Sequence, residues 1–129
     1  MNLLKFIKAQ FRSVARFSPT ECAARVRAGD AILVDVRQPN EWVAGVADRA
    51  VLLSLADLTG KRVRWKPFLA THDGRELLLY CGAGVRSAMA AKILAAEGFK
   101  TANAGEFPEW VAAGWPVIPP ETAQSQRSR

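Results

Sequence analysis

The chain has 129 residues, half of them apolar, and a formal net charge of +6, which suits one globular domain and excludes a disordered chain. Most of the excess charge lies at the chain ends, because residues 1–20 hold four basic and no acidic residues, whereas residues 21–120 hold 12 basic and 11 acidic ones. The expected folded part is therefore nearly neutral, and we do not expect nucleic acid as a partner.

Residues 1–15 form a basic arm in which leucine, isoleucine, phenylalanine and valine recur at helical spacing among Lys5, Lys8 and Arg12. Such an amphipathic arm can pack on its own domain, dock on a partner or lie on an anionic membrane surface. Its lysines interrupt any signal-peptide core, and every apolar run is far shorter than the roughly 18 to 20 residues that a membrane span needs. We therefore expect a cytoplasmic protein.

The domain is predicted to open with a helix. Ser18-Pro19-Thr20-Glu21 has the form of a capping box with proline at the first helical position, and Gly29 suits the end of the helix. Short apolar runs follow at residues 31–36, 50–53 and 76–80. Runs of this length and composition are typical of buried parallel strands.

The later elements include a long helix and a shorter one. A basic connection, residues 61–66, precedes the third apolar run and is predicted to be a solvated loop. Residues 86–97 are rich in alanine and predict a helix that stops at Gly98. Residues 107–113 predict a last, short helix.

Strands that alternate with helices predict an α/β fold with a parallel sheet covered on both faces. We place this domain at residues 16–118, after the arm of residues 1–15. The sequence after Pro119-Pro120 is polar, so residues 119–129 are predicted to be a disordered tail.

Cys81 falls at the end of the third apolar run, where parallel sheets bind their ligands. Gly82 and Gly84 are expected to supply positive φ angles for a tight curl around its sulfur. The amides of that curl and the charge of Arg86 would form an anion site, and such surroundings lower the pKa of a thiol toward roughly 3.5 to 7.5. We therefore predict an activated sulfur nucleophile. Its predicted anion-binding cradle comprises Gly82, Ala83, Gly84, Val85, Arg86 and Ser87.

Other reactive side chains are expected to be structural. Cys22 lies within the first helix, and His72 sits beside a turn sequence. Two cysteines and one histidine do not provide a zinc-ligand cluster, so no metal site is predicted. We expect Asp35 to accept loop amides at its strand end and Arg37 to pair with Glu41.

Four blocks in this order resemble the rhodanese-like sulfurtransferases in their single-domain form, over roughly residues 16–117. The blocks are Ser18-Pro19-Thr20-Glu21, Leu33-Val34-Asp35-Val36-Arg37 with Glu41-Trp42, Tyr80-Cys81-Gly82-Ala83-Gly84-Val85-Arg86-Ser87, and Ala104-Gly105-Glu106-Phe107-Pro108-Glu109-Trp110 with Ala113-Gly114-Trp115-Pro116-Val117. The resemblance implies a three-layer α/β domain with a mostly parallel sheet of about five strands. It implies a ping-pong sulfurtransferase reaction without metal or organic cofactor. A donor such as thiosulfate would leave a persulfide on Cys81, and cyanide or a thiol would remove it.

The expected partners are a small anionic sulfur donor and a thiol or cyanide acceptor, with a protein donor or acceptor as a further option. The protein itself is expected to be a monomer or a weak dimer.

Two other functions stay open. Cysteine-dependent phosphatases and arsenate reductases place five residues between cysteine and arginine, whereas four separate Cys81 from Arg86. Residues 45–50 lack the histidine and second glycine common in the family, which keeps a non-catalytic binding module as an alternative.

Overall fold

The computed structural model describes residues 3–4 and 14–127, so most of the predicted N-terminal arm lies outside the described residues. The elements after residue 14 are α1 (Pro19–Ala28), β1 (Ala31–Asp35), α2 (Pro39–Trp42), β2 (Val46–Ala47), β3 (Val51–Leu52), α3 (Leu55–Leu58), α4 (Trp65–Ala70), β4 (Glu76–Cys81), α5 (Val85–Ala96), β5 (Thr101–Glu106), α6 (Phe107–Ala112), β6 (Val117–Ile118) and α7 (Pro120–Arg127).

The predicted α/β architecture is confirmed. Four parallel strands form the central sheet in the order β3-β1-β4-β5, and β2 pairs with β6 in a separate antiparallel pair. The central sheet thus has four strands rather than about five. Strand β4 is buried along its whole length, as expected for the middle of a sheet that helices cover on both faces.

Helix α1 begins and ends where the sequence predicted. The Ser18 hydroxyl accepts from the Glu21 amide, the Glu21 carboxylate accepts from the Ser18 amide, and proline occupies the first helical turn. The helix ends at Gly29, whose φ of 79° places it in the left-handed region that favours glycine. Helix α5 likewise lies within one residue of its predicted bounds.

Two hydrophobic cores fill the space between the helices and the sheet. One core contains α1 residues such as Val26 together with Trp110 and Trp115, and the other contains α5 residues such as Ile93 and Leu94. These cores hold the sheet rigid, so the carboxyl ends of its strands form a fixed platform.

The basic connection differs from its prediction as a solvated loop. Arg62 pairs with Glu97 through two hydrogen bonds of 2.7 and 2.8 Å. Trp65 begins α4 and is fully buried. The amides of residues 63–65 donate to the carboxylate of Asp57. Most of this segment therefore stabilises the fold.

Residues 120–127 were predicted to belong to a disordered tail, but they form helix α7. Ala123 is buried, and the helix packs on β3. The Gln126 side chain donates to Asp48 and accepts from the Arg49 amide, at 2.8 and 3.3 Å. The buried Ala123 and the bridging amide of Gln126 thus help to anchor a polar helix whose composition alone predicts disorder. In the part of the chain that the structure describes, no helix is long and apolar enough to cross a membrane.

Candidate active site

Cys81 is the last residue of β4, at the carboxyl end of the parallel sheet, and only 1% of it is exposed. Its position therefore matches the sequence prediction. The chain then turns through residues 82–87, which we call the cysteine loop, and enters α5 at Val85. Gly84 makes this turn possible, since its φ of 87° lies in the left-handed region.

The cysteine loop directs hydrogen-bond donors at the sulfur. The Gly84 amide lies 3.0 Å and the Ser87 amide 3.4 Å from Cys81 Sγ, and the Ser87 hydroxyl lies 3.3 Å from it. Burial opposes ionisation, but the hydroxyl and amide of Ser87 and the amides of Ala83 and Gly84 outweigh it. They hold the pKa of the Cys81 thiol below its ordinary value. The loop therefore stabilises a thiolate, as predicted.

The other predicted cradle residues have different roles. Gly82 does not adopt a positive φ, which corrects its predicted role. Instead, a Cβ at that position would lie 3.3 Å from a guanidinium nitrogen of Arg86, so glycine leaves room for the arginine. The Val85 side chain is 75% exposed at the start of α5.

The Arg86 guanidinium lies beside Gly82 of the cysteine loop, and its predicted part in the anion cradle remains a prediction. It forms a bidentate ion pair with Glu41 of α2, with distances of 2.5 and 2.9 Å. The hydrogen bonds from Arg86 lower the pKa of Glu41 to about 2, so this carboxylate is ionised at neutral pH. The predicted pairing of Arg37 with Glu41 is therefore wrong.

Asn103 of β5 is a site residue that the sequence analysis missed. Its side-chain oxygen accepts from the Ser87 hydroxyl at 2.7 Å and from the Gly105 amide at 2.9 Å. Its side-chain nitrogen donates to the Gly84 carbonyl at 3.2 Å. Asn103 thereby fixes the hydroxyl that touches Cys81 and the glycine that shapes the loop. No local pattern signals this role, because the contact joins strand β5 to a loop 16 residues earlier.

A buried polar network joins the strand ends next to Cys81, and its Tyr80 side chain packs in the core on the opposite face of the sheet from Cys81. Tyr80 donates to Asp35 at 2.6 Å and accepts from the Ala47 amide at 2.9 Å. Asp35 also accepts from the Arg37 amide, which agrees with its predicted structural role, and from the Arg37 guanidinium. The guanidinium lies 4.3 Å from the ring centroid of Phe107. Because every partner is buried and bonded, this network locks the end of β1 to the end of β4.

The remaining sequence candidates lie apart from this site. Cys22 is fully buried, and burial raises the pKa of its thiol to about 11. His72 lies in a turn and bonds the Leu69 carbonyl. Among the described residues, no group of three or more histidine, cysteine or acidic side chains could hold a metal ion.

A profile of the rhodanese-like domain matches residues 18–113, about three quarters of the chain. The chain belongs to the rhodanese-like domain family. This membership confirms the resemblance seen in the sequence, and Cys81 lies within the matched residues.

Solved structures share this rhodanese-like fold. A protein of unknown function from Rhodopseudomonas palustris, described as a possible tyrosine phosphatase, is 25% identical with a TM-score of 0.70, and the match covers 88% of this chain and 91% of that one. A rhodanese-related protein from Thermoplasma volcanium is 23% identical with a TM-score of 0.66, covering 81% and 97%. A human single-domain sulfurtransferase is 23% identical with a TM-score of 0.62, covering 78% and 97%. The last two comparisons show the shared fold alone.

Proposed function

We propose that this protein is a sulfurtransferase that carries sulfane sulfur as a persulfide on Cys81. The observation that carries the proposal is the geometry of the sulfur: a buried thiol that accepts from the Gly84 and Ser87 amides at 3.0 and 3.4 Å. Fixed dipoles in a water-poor site stabilise an anion far better than they would in water. Both the thiolate and the persulfide are anions, so one loop serves both states.

The reaction has two displacement steps. The Cys81 thiolate attacks the outer sulfur of a donor such as thiosulfate, the donor's S–S bond breaks, and its electron pair leaves with sulfite. A thiol or cyanide acceptor then attacks the terminal sulfur of the persulfide, and Cys81 leaves as a thiolate. Atoms and charge balance without a cofactor, and the cysteine loop stabilises Cys81 both as nucleophile and as leaving group.

A cytoplasmic setting suits this chemistry, because reducing thiols keep cysteines free. Neither Cys22 nor Cys81 forms a disulfide. The same compartment supplies thiols as acceptors.

A phosphatase function is the second candidate, since one structural relative is described as a possible tyrosine phosphatase. Phosphoryl transfer at a cysteine needs an arginine free to bind the phosphate oxygens in a bidentate fashion. Here Glu41 already accepts a bidentate pair of hydrogen bonds from the two terminal nitrogens of Arg86, and the cysteine loop is one residue shorter than a phosphatase loop. Both observations favour sulfur over phosphate.

Mass spectrometry of the intact protein tests the proposal. The wild type and Cys81→Ser are incubated with thiosulfate and, in parallel, with benzenethiosulfonate, and cyanide is then added. We expect one added sulfur atom on the wild type, removed by cyanide as thiocyanate, and none on Cys81→Ser. A folded wild type that gains no sulfur from either donor, or that hydrolyses aryl phosphates at Cys81 instead, would overturn the proposal. Cys22→Ser is the matched control and should behave as the wild type.

A further inference from the structure

The charges around the cysteine loop are arranged so that its arginine is neutralised. Glu41 accepts from both terminal nitrogens of Arg86. About a third of each side chain remains exposed, at 35% for Arg86 and 32% for Glu41. Both side chains lie beside Gly82, since a Cβ there would be 3.3 Å from Arg86 and 3.8 Å from Glu41, so a donor that approaches the cysteine loop comes near this pair.

Two further features at this end of the sheet, an ion pair and a carboxylate, add no net positive charge. The Arg37 guanidinium pairs with Asp35, and both residues are buried. Glu106, which lies opposite Cys81 in the strand register, has side-chain carbon close to Gly84. Among the described residues it forms no ion pair. Together these five side chains carry one net negative charge.

We propose, building on the sulfurtransferase function, that Glu41 sets the charge class of the donor: the site takes donors with a single negative charge, such as persulfides and thiosulfonates, in preference to dianions such as thiosulfate. A dianion carries one more negative charge past the Glu41 carboxylate, and the neutralised Arg86 does not compensate for it. The amides of the cysteine loop stabilise the reacting sulfur equally well for both donor classes. With a persulfide donor, the Cys81 thiolate attacks the outer sulfur and the donor leaves as a thiolate that keeps the electron pair.

Two donors that differ in charge but transfer the same sulfur atom provide the test. Thiosulfate is a dianion, whereas benzenethiosulfonate is a monoanion. The quantity measured is the ratio of kcat/KM for thiosulfate to kcat/KM for benzenethiosulfonate, with cyanide as acceptor. Because a ratio compares donors on the same protein, general losses of activity or of folded protein cancel.

Two substitutions should move this ratio in opposite directions. Glu41→Gln removes the negative charge but keeps a residue that can complete the capping box of α2. Because water screens this partly exposed pair, we expect the ratio to rise only about threefold to tenfold in Glu41→Gln. Arg86→Gln leaves the Glu41 charge uncompensated, so the ratio should fall by a similar factor.

Glu21→Gln is the matched control. Glu21 closes the capping box of α1 in the same way but bonds no arginine of the cysteine loop, so its ratio should equal that of the wild type. Opposite shifts in the two test variants support the inference. An unchanged ratio in both variants overturns it while leaving the sulfurtransferase function intact. A wild type that gains sulfur from neither donor overturns both.

Discussion

The Ser87 hydroxyl supplies part of the acidity of Cys81, and Ser87→Ala measures how much. The hydroxyl lies 3.3 Å from the sulfur and 2.7 Å from the Asn103 oxygen. It has one proton, for which the Asn103 oxygen and the Gly84 carbonyl, at 2.7 and 3.2 Å, compete with the thiolate. The alanine variant keeps both loop amides on the sulfur, and Asn103 still accepts from the Gly105 amide.

The expected size of the effect follows from this shared proton. A hydrogen bond to a charged group contributes about 1.5–3 kcal/mol. Because the Asn103 oxygen and the Gly84 carbonyl compete with the sulfur for this proton, the lower end applies. A loss of about 1.4 kcal/mol corresponds to a roughly tenfold smaller thiolate population below the pKa of Cys81.

The rate of alkylation by iodoacetamide, measured across a pH series, reports the thiolate fraction of Cys81, because only the thiolate reacts. In Ser87→Ala, the pH at which the rate is half-maximal should rise, and the rate below that pH should fall about tenfold. The plateau at high pH should stay unchanged. Cys22 does not interfere, since it is fully buried and burial raises its thiol pKa to about 11.

Ser18→Ala is the control, because it removes a capping hydroxyl from α1 without touching the site. Its alkylation profile should match that of the wild type. If the Ser87→Ala profile also matches, the loop amides alone set the acidity and the reasoning fails. If only the plateau falls, Ser87 orients the nucleophile rather than acidifying it.

Two further substitutions test the parts of the fold that support the site. Tyr80→Phe leaves the buried Ala47 amide without its 2.9 Å acceptor, so the free energy of unfolding, measured in urea, should fall by about 1–3 kcal/mol. A free energy equal to that of the wild type within error would show that this network is dispensable. Ala123→Asp places a charge at a buried position of α7, so the α7 amides should lose hydrogen-exchange protection while those of β4 keep it; protection retained in α7 would show that the helix is anchored elsewhere.

Local patterns were enough to predict the elements that carry their own signals. The capping box at Ser18 and the glycine at position 29 delimit α1, and the apolar run of β4 ends at Cys81 as predicted. These features depend on neighbours in sequence, namely cap hydrogen bonds, a continuous apolar run and a glycine with positive φ. The location of Cys81 at the end of β4 was therefore predictable.

Strand β5 could not be predicted in the same way. Its sequence, Thr-Ala-Asn-Ala-Gly-Glu, contains few residues that favour strands. It forms a strand because β4 pairs with it along one side. The pairing has a bulge between Asn103 and Gly105. Tertiary pairing thus overrides a weak local preference, and it places Asn103 against the cysteine loop.

The charge partners of the site were also beyond the reach of the sequence. Arg86 pairs with Glu41, 45 positions earlier, although the sequence offered Arg37 as a nearer partner. Arg37 instead bonds Asp35, two residues away, because both side chains are buried at the same strand end. Burial decides between these pairings. Which of these side chains are buried is known only once the fold is known.

Both edges of the central sheet are covered by segments from the ends of the described chain. Helix α7 packs on the outer strand β3, and residues 15–17 exchange backbone hydrogen bonds with Asn103 on the outer strand β5. An uncovered edge is a template on which a second molecule adds its own strand, which leads to aggregation. Removing either flanking segment would expose backbone groups at that edge, so we expect a protein shortened in this way to associate through its sheet more readily.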